Sequence, residues 1–179
     1  DLHTFLTRRS SDFKMPRYFL ILALISLFLG MSFGMIASFQ YLLPEFIKEH
    51  FPFSKLRPFH VTSVITWIIL SETGSIYFFL TYVEKFKLFS PILAKLHFVI
   101  FLLTGIAIYF SYTFNYTEGR EYFAFPSILL LPILLGLFLF GINSFTILSI
   151  NVNVWHVNYC LRVKGFAFVT YLVMETLFW

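Results

Sequence analysis

Residues 56–79 read LRPFHVTSVITWIILSETGSIYFF. His60 stands at the head of a long apolar run, with Arg57 and Pro58 just before it. The run is long enough to cross a bilayer as a helix, and an ionisable side chain at the edge of hydrocarbon is costly unless something binds it. Two readings compete for His60: a metal centre at a membrane boundary, and a helix-packing or interfacial contact.

Composition fixes the setting. The 179 residues are 59% hydrophobic and 22% aromatic, with only 12% charged. Soluble domains average about 45–50% apolar and about 25% charged residues, so this is not a soluble globule. The single cysteine, Cys160, excludes an internal disulfide and any cysteine-only zinc or iron–sulfur site. The net charge of +4 has no basic stripe behind it and is not a nucleic-acid footprint.

Four apolar runs are complete, at about 18–43, 58–82, 91–113 and 126–150; a fifth, about 165–179, is cut off at Trp179. Prolines punctuate them: Pro44 closes the first run, and Pro58, Pro91 and Pro126 open the next three, where the first turn tolerates proline. At about 1.5 Å per residue each complete run covers the roughly 30 Å hydrocarbon core. No period-two alternation appears, which excludes a barrel. The expected fold is all-α, a polytopic transmembrane helical bundle over 18–179 preceded by a polar segment over 1–17.

Basic residues orient it. Nine (Arg8, Arg9, Lys14, Arg17, Lys85, Lys87, Lys95, Arg162, Lys164) fall on one side and four (Lys48, Lys55, Arg57, Arg120) on the other. The positive-inside rule then places the amino terminus in the cytoplasm and the loops 44–57 and 114–125 outside. His60 comes at the outer end of the second helix. Small residues at Gly30 and Gly34, and at Ser71, Gly74 and Ser75, mark close helix contacts.

Helical spacing puts His60, Ser63, Val64, Trp67, Ser71 and Gly74 on one face. Imidazole is a common axial ligand of haem iron, and a face of modest side chains suits a flat porphyrin. The plain alternative is an interfacial histidine bonded to a backbone carbonyl. Glu72 lies mid-helix, about 18 Å from His60 by the helical rise; it is either proton-linked or a protonated packing residue, and Glu175 carries the same ambiguity. His97, close to Lys95, reads as interfacial. His156 and Cys160 lie four apart but lack two further ligands for a metal site. His3 and His50 read as solvated.

Three segments carry a resemblance: MIASFQYLLPEF, KLRPFHVTSV and TEGREYFAFP. Together they resemble the large, cytochrome b subunit of bacterial nitric oxide reductases, in the haem–copper oxidase superfamily. The resemblance implies that His60 is one axial ligand of a low-spin haem b. It implies that Glu121 helps to hold a structural calcium. Arg57 and Arg120 lie on the same outer side, where a guanidinium can pair with a haem propionate; the plain alternative for each is a solvated loop charge or a lipid-phosphate contact. The family's second glutamate, three residues after the first, is Ala124 here, and the residue after the ligand histidine is Val61 rather than threonine. The Gly-Arg-Glu-Tyr segment favours a nitric oxide reductase over the cbb3-type oxygen reductases, which share the Arg-Pro-x-His element.

The resemblance also implies what this stretch lacks. Two haems and a non-haem iron require six histidines, and the chain has five, only one of them at a matching position. The high-spin haem b and the non-haem iron are therefore expected on later helices, and this sequence reads as an amino-terminal fragment. The expected partners are the bilayer, the remaining helices of the same subunit, nitric oxide, and a small cytochrome c subunit or quinol as electron donor. The expected location is a bacterial inner membrane. The alternatives are a cbb3-type relative and, in a different class, a non-enzymatic membrane scaffold or transporter piece.

Overall fold

The structure is a computed structural model and describes residues 2–84, 86–120 and 122–151. Four long helices dominate it: α1 (Leu2–Leu42), α2 (Phe53–Phe78), α3 (Pro91–Thr113) and α4 (Leu130–Asn151). There is no strand among the described residues. Apolar stretches at Lys14–Leu42, Phe53–Tyr82, Pro91–Thr113 and Ser127–Ile150 are each long enough to cross a membrane. The all-α bundle is the fold the apolar runs dictate, because hydrocarbon leaves backbone groups no partner except their own helix.

The helix starts differ from the sequence expectation in two places. The helical backbone of α1 runs back through Pro16 to Leu2 rather than starting near Tyr18. Hydropathy marks only the apolar part of a helix, and the polar stretch before Pro16 has none to show. Helix α2 starts at Phe53, with the extended Pro52 (φ −64°, ψ 155°) as its cap, so Pro58 sits inside the helix. At its far end α2 widens into a π-helical turn, Phe79–Val83, where Glu84 N–H bonds to Phe79 O at 3.0 Å. Helix α3 starts as Pro91 requires, with the Ser90 hydroxyl accepting from Leu93 N–H. A 3-10 turn, Ser127–Leu129, leads into α4.

Helix α1 packs chiefly on α2, and α3 chiefly on α4. The two hairpins meet through two buried clusters. The first, at the end remote from His60, gathers Phe19, Leu70, Tyr77, Leu80, Ala94 and Ile147. The second, at the His60 end, gathers Phe59, Ile108, Tyr112, Ala124 and Phe125. Hydroxyl pairs tie α2 to α3 beside this second cluster: Thr62 Oγ1 to Tyr112 Oη at 2.7 Å, and Ser63 Oγ to Tyr109 Oη. The Lys55 ammonium also donates to Thr113 O at 2.9 Å, placing a cation at the carboxyl end of α3, where the helix dipole favours it.

Candidate functional site

The site grows from a glycine-lined contact between α1 and α2. A side chain at Gly30 would meet Ser63 Cβ and Val64 Cγ2 at 3.2 Å, and one at Gly34 would meet His60 Nδ1 at 2.7 Å. Further along, one at Gly74 would meet Leu20 Cγ at 2.9 Å. Small residues on both helices let the backbones approach, and the approach brings His60 to α1. His60 Nδ1 lies 2.7 Å from Gly30 O. A carbonyl can only accept, so Nδ1 is the protonated nitrogen and the lone pair of the neutral ring lies on Nε2. The ring remains half-buried.

This geometry corrects one expectation. The small-residue face of α2, read as a flank for a porphyrin, is occupied by α1. A flat group bonded to His60 must therefore come from the side on which the imidazole is still accessible. An apolar groove beside Thr62, Thr66, Leu134 and Leu137 does not include His60 among its walls, so it is not the space that the ring faces.

The loop before α2 is held from α1. Gln40 Nε2 donates to Phe46 O at 3.1 Å and to Phe51 O at 2.7 Å. Ile47, inside this clamp, has φ 53°, a left-handed conformation that a β-branched residue adopts only under strain. Gln40 belongs to the first of the three resemblance segments, and its role is to fix the entry of the helix that carries His60.

The loop between α3 and α4 carries the second charged group. Arg120 Nη2 donates to Ser127 Oγ at 2.5 Å and pairs with Glu118 Oε2 at 2.9 Å. The Glu118 carboxylate also accepts from Ser127 N–H at 2.8 Å and from its hydroxyl. These two Ser127 bonds, and then the Arg120 charge, hold the Glu118 carboxyl below its ordinary range. Arg120 Nη1 is buried and has no partner among the described residues. Arg57 is exposed at the start of α2. Ala124 is buried with Phe125 in the aromatic cluster, so the position where the family pattern has a second glutamate is part of the core.

Other expected residues fall elsewhere. His97 is not interfacial: it is fully buried, ringed by Phe19, Phe101 and Phe140 at centroid distances of 5.0, 4.5 and 5.7 Å. Glu72 is exposed on α2. Glu121, His156, Cys160, Glu175 and the fifth helix lie outside the described residues. Among the described residues no three acidic, histidine or cysteine side chains converge to hold a metal ion.

Comparison with known proteins identifies the family. The family model described as cytochrome c and quinol oxidase polypeptide I matches residues 14–179. The chain belongs to this haem–copper oxidase family. It is also 31% identical over 97 residues to the B subunit of the nitric oxide reductase of Stutzerimonas stutzeri. That match covers 54% of this chain and 20% of the relative, so the chain aligns with about a fifth of the relative's length. Family membership makes this a multi-pass membrane protein of an oxidoreductase family whose members carry haem.

The residues present fit such a group. An iron-bound histidine typically donates its other ring N–H to a carbonyl or carboxylate, which fixes the tautomer and strengthens the ligand. His60 already makes this bond. Arg120 adds a buried N–H without a partner among the described residues, and a guanidinium is the group that pairs with a carboxylate.

Proposed function

We propose that this chain is the amino-terminal part of a nitric oxide reductase large subunit, in which His60 Nε2 is one axial ligand of the low-spin haem b. The family match over residues 14–179 and the 31% identity to a nitric oxide reductase B subunit carry this reading. The His60 Nδ1–Gly30 O bond, which a packing histidine would also make, is compatible with it because it leaves Nε2 as the bonding nitrogen. A six-coordinate haem supplies one-electron transfer without an open coordination position. The work of this chain is to hold its end still. Gln40 fixes the start of α2, the glycine contact fixes the ring, and Arg120 and Arg57 would neutralise the propionates.

The complete protein would join two nitric oxide molecules, two electrons and two protons into nitrous oxide and water, with the reacting metals held by later helices. Glu121 would give one oxygen to a calcium ion on the same side, in a ligand set that Ala124 leaves one carboxylate short. The basic residues support a cytoplasmic amino terminus and an outward-facing His60 in a bacterial inner membrane.

Visible spectroscopy and gas consumption by the full-length protein test this. The wild type should show a reduced low-spin b band and consume nitric oxide, and His60→Ala should lose that band and most turnover. A His60→Ala protein with an unchanged low-spin spectrum would show that His60 is only a packing residue. Consumption of oxygen but not nitric oxide would move the protein among the oxygen reductases.

A further inference from the structure

We infer that Gly30 and Gly34 are positioning residues for the His60 ring, the first by supplying its acceptor and the second by leaving it room. The inference rests on the axial-ligand role proposed above. In a helix the Gly30 carbonyl is already the acceptor for the Gly34 N–H, so the imidazole adds a bond to the carbonyl's other lone pair. That second bond requires the ring to lie against the α1 backbone where a side chain at position 34 would stand. A Cβ there would come within 2.7 Å of Nδ1 and 2.8 Å of Cε1. At Gly30 the demand is milder: the nearest atoms, Ser63 Cβ and Val64 Cγ2, are 3.2 Å from the added carbon.

The two substitutions therefore do different things. Alanine at 34 collides with the far end of a side chain, which can turn away, so the helices stay packed while the ring rotates and Nδ1 leaves Gly30 O. Alanine at 30 pushes α2 away by a few tenths of an ångström and lengthens the same bond. Losing Nδ1–H donation makes the imidazole a poorer electron donor. A weaker donor favours the reduced iron, so the midpoint potential rises. Rotation of the ring plane also changes the low-spin electron paramagnetic resonance pattern. Gly105, with no atom within 4 Å of an added Cβ, is the matched control on α3.

The test uses the full-length holoprotein carrying Gly34→Ala, Gly30→Ala, Gly105→Ala or His60→Ala. Haem content, low-spin g values and the haem b midpoint potential are measured for each. Gly34→Ala should keep its haem, shift its g values and raise its potential; Gly30→Ala should do so less, and Gly105→Ala not at all. If Gly34→Ala does not accumulate, Gly30→Ala decides. Glycine variants with wild-type g values and potential, beside a His60→Ala protein that has lost the low-spin signal, would overturn the positioning role and leave the ligand role standing. A low-spin signal that survives His60→Ala would overturn the ligand role itself.

Discussion

The imidazole of His60 on α2 bonds through Nδ1 to the main-chain oxygen of Gly30 on α1, 2.7 Å away. The bond joins the two helices at the same level at which the glycines let them approach. Part of the stability of this end should therefore depend on the side chain at position 60 independently of any cofactor. In the haem-free protein His60→Ala should cost about 1–2 kcal/mol, the net value of one hydrogen bond plus a small cavity. His60→Gln, which keeps an N–H donor of similar reach, should cost less. Thermal unfolding in detergent checks the order.

The loop that leads into α2 should respond to both its clamp and its strain. Gln40→Ala removes two bonds to loop carbonyls and should destabilise by about 1–2 kcal/mol. Ile47→Asn, at φ 53° and 43% exposed, should stabilise by about 1 kcal/mol, because asparagine tolerates the left-handed region. Unfolding midpoints of the two variants should move in opposite directions. A lower midpoint for Ile47→Asn would mean that its contacts outweigh its backbone strain.

His97 poses a different question. Both ring nitrogens are buried without a partner among the described residues, and the ring is enclosed by phenylalanines. An unpaired buried polar group costs about 1–3 kcal/mol, whereas an apolar side chain of similar volume costs nothing of that kind. His97→Leu should therefore leave stability unchanged or raise it. A clear loss would mean that the imidazole has a partner outside the described residues, and that partner becomes the next thing to find.

Much of this fold is legible in the sequence, because a bilayer admits few alternatives. The four apolar runs announce four helices, and Pro91 and Pro126 stand at or just before the starts of their spans. The contact between α1 and α2 is only half legible. Gly30 and Gly34 read as a packing motif and His60 reads as a ligand, but that one lies against the other is a fact of register between helices. The same limit hides the burial of His97: Lys95 marks its neighbourhood as polar, while Phe19 and Phe140 arrive from helices distant in sequence. The Glu118–Arg120–Ser127 cluster also escapes notice, since short loop contacts have no periodicity to read.

Two hydroxyl pairs join α2 to α3 beside His60, and the Thr62–Tyr112 pair is the better buried. Tyr112 is 1% exposed and Thr62 5%. Tyr112→Phe leaves both the Thr62 hydroxyl and the Phe125 N–H, which also bonds the phenol, without that partner, so it should cost about 1–3 kcal/mol. Adding Thr62→Val should recover part of that loss, because the second polar group is then gone as well. A double-mutant cycle on unfolding free energies measures the coupling. Additive single effects would show that each hydroxyl finds another acceptor, such as a main-chain carbonyl of its own helix.

Acid should loosen the loop between α3 and α4 before it affects the bundle. The Glu118 carboxyl is held below its ordinary value of 4.5, first by the two Ser127 bonds and then by Arg120. A carboxyl whose folded pKa is depressed contributes its stabilisation fully above the unfolded value. That contribution is lost as pH falls from the unfolded value through the depressed one. The side chain is 39% exposed, so solvent screens the charge and the effect should be local. A spin label at Thr117 should become more mobile below about pH 4.5, the ordinary value, and regain its order when pH is restored. Glu118→Gln should be mobile at neutral pH already, having lost the charge pair and one strong acceptor, and should show little further change with acid. Equal mobility of wild type and Glu118→Gln across the whole pH range would mean that this loop is ordered by its aromatic contacts, Phe123 against Phe125, and not by the carboxylate.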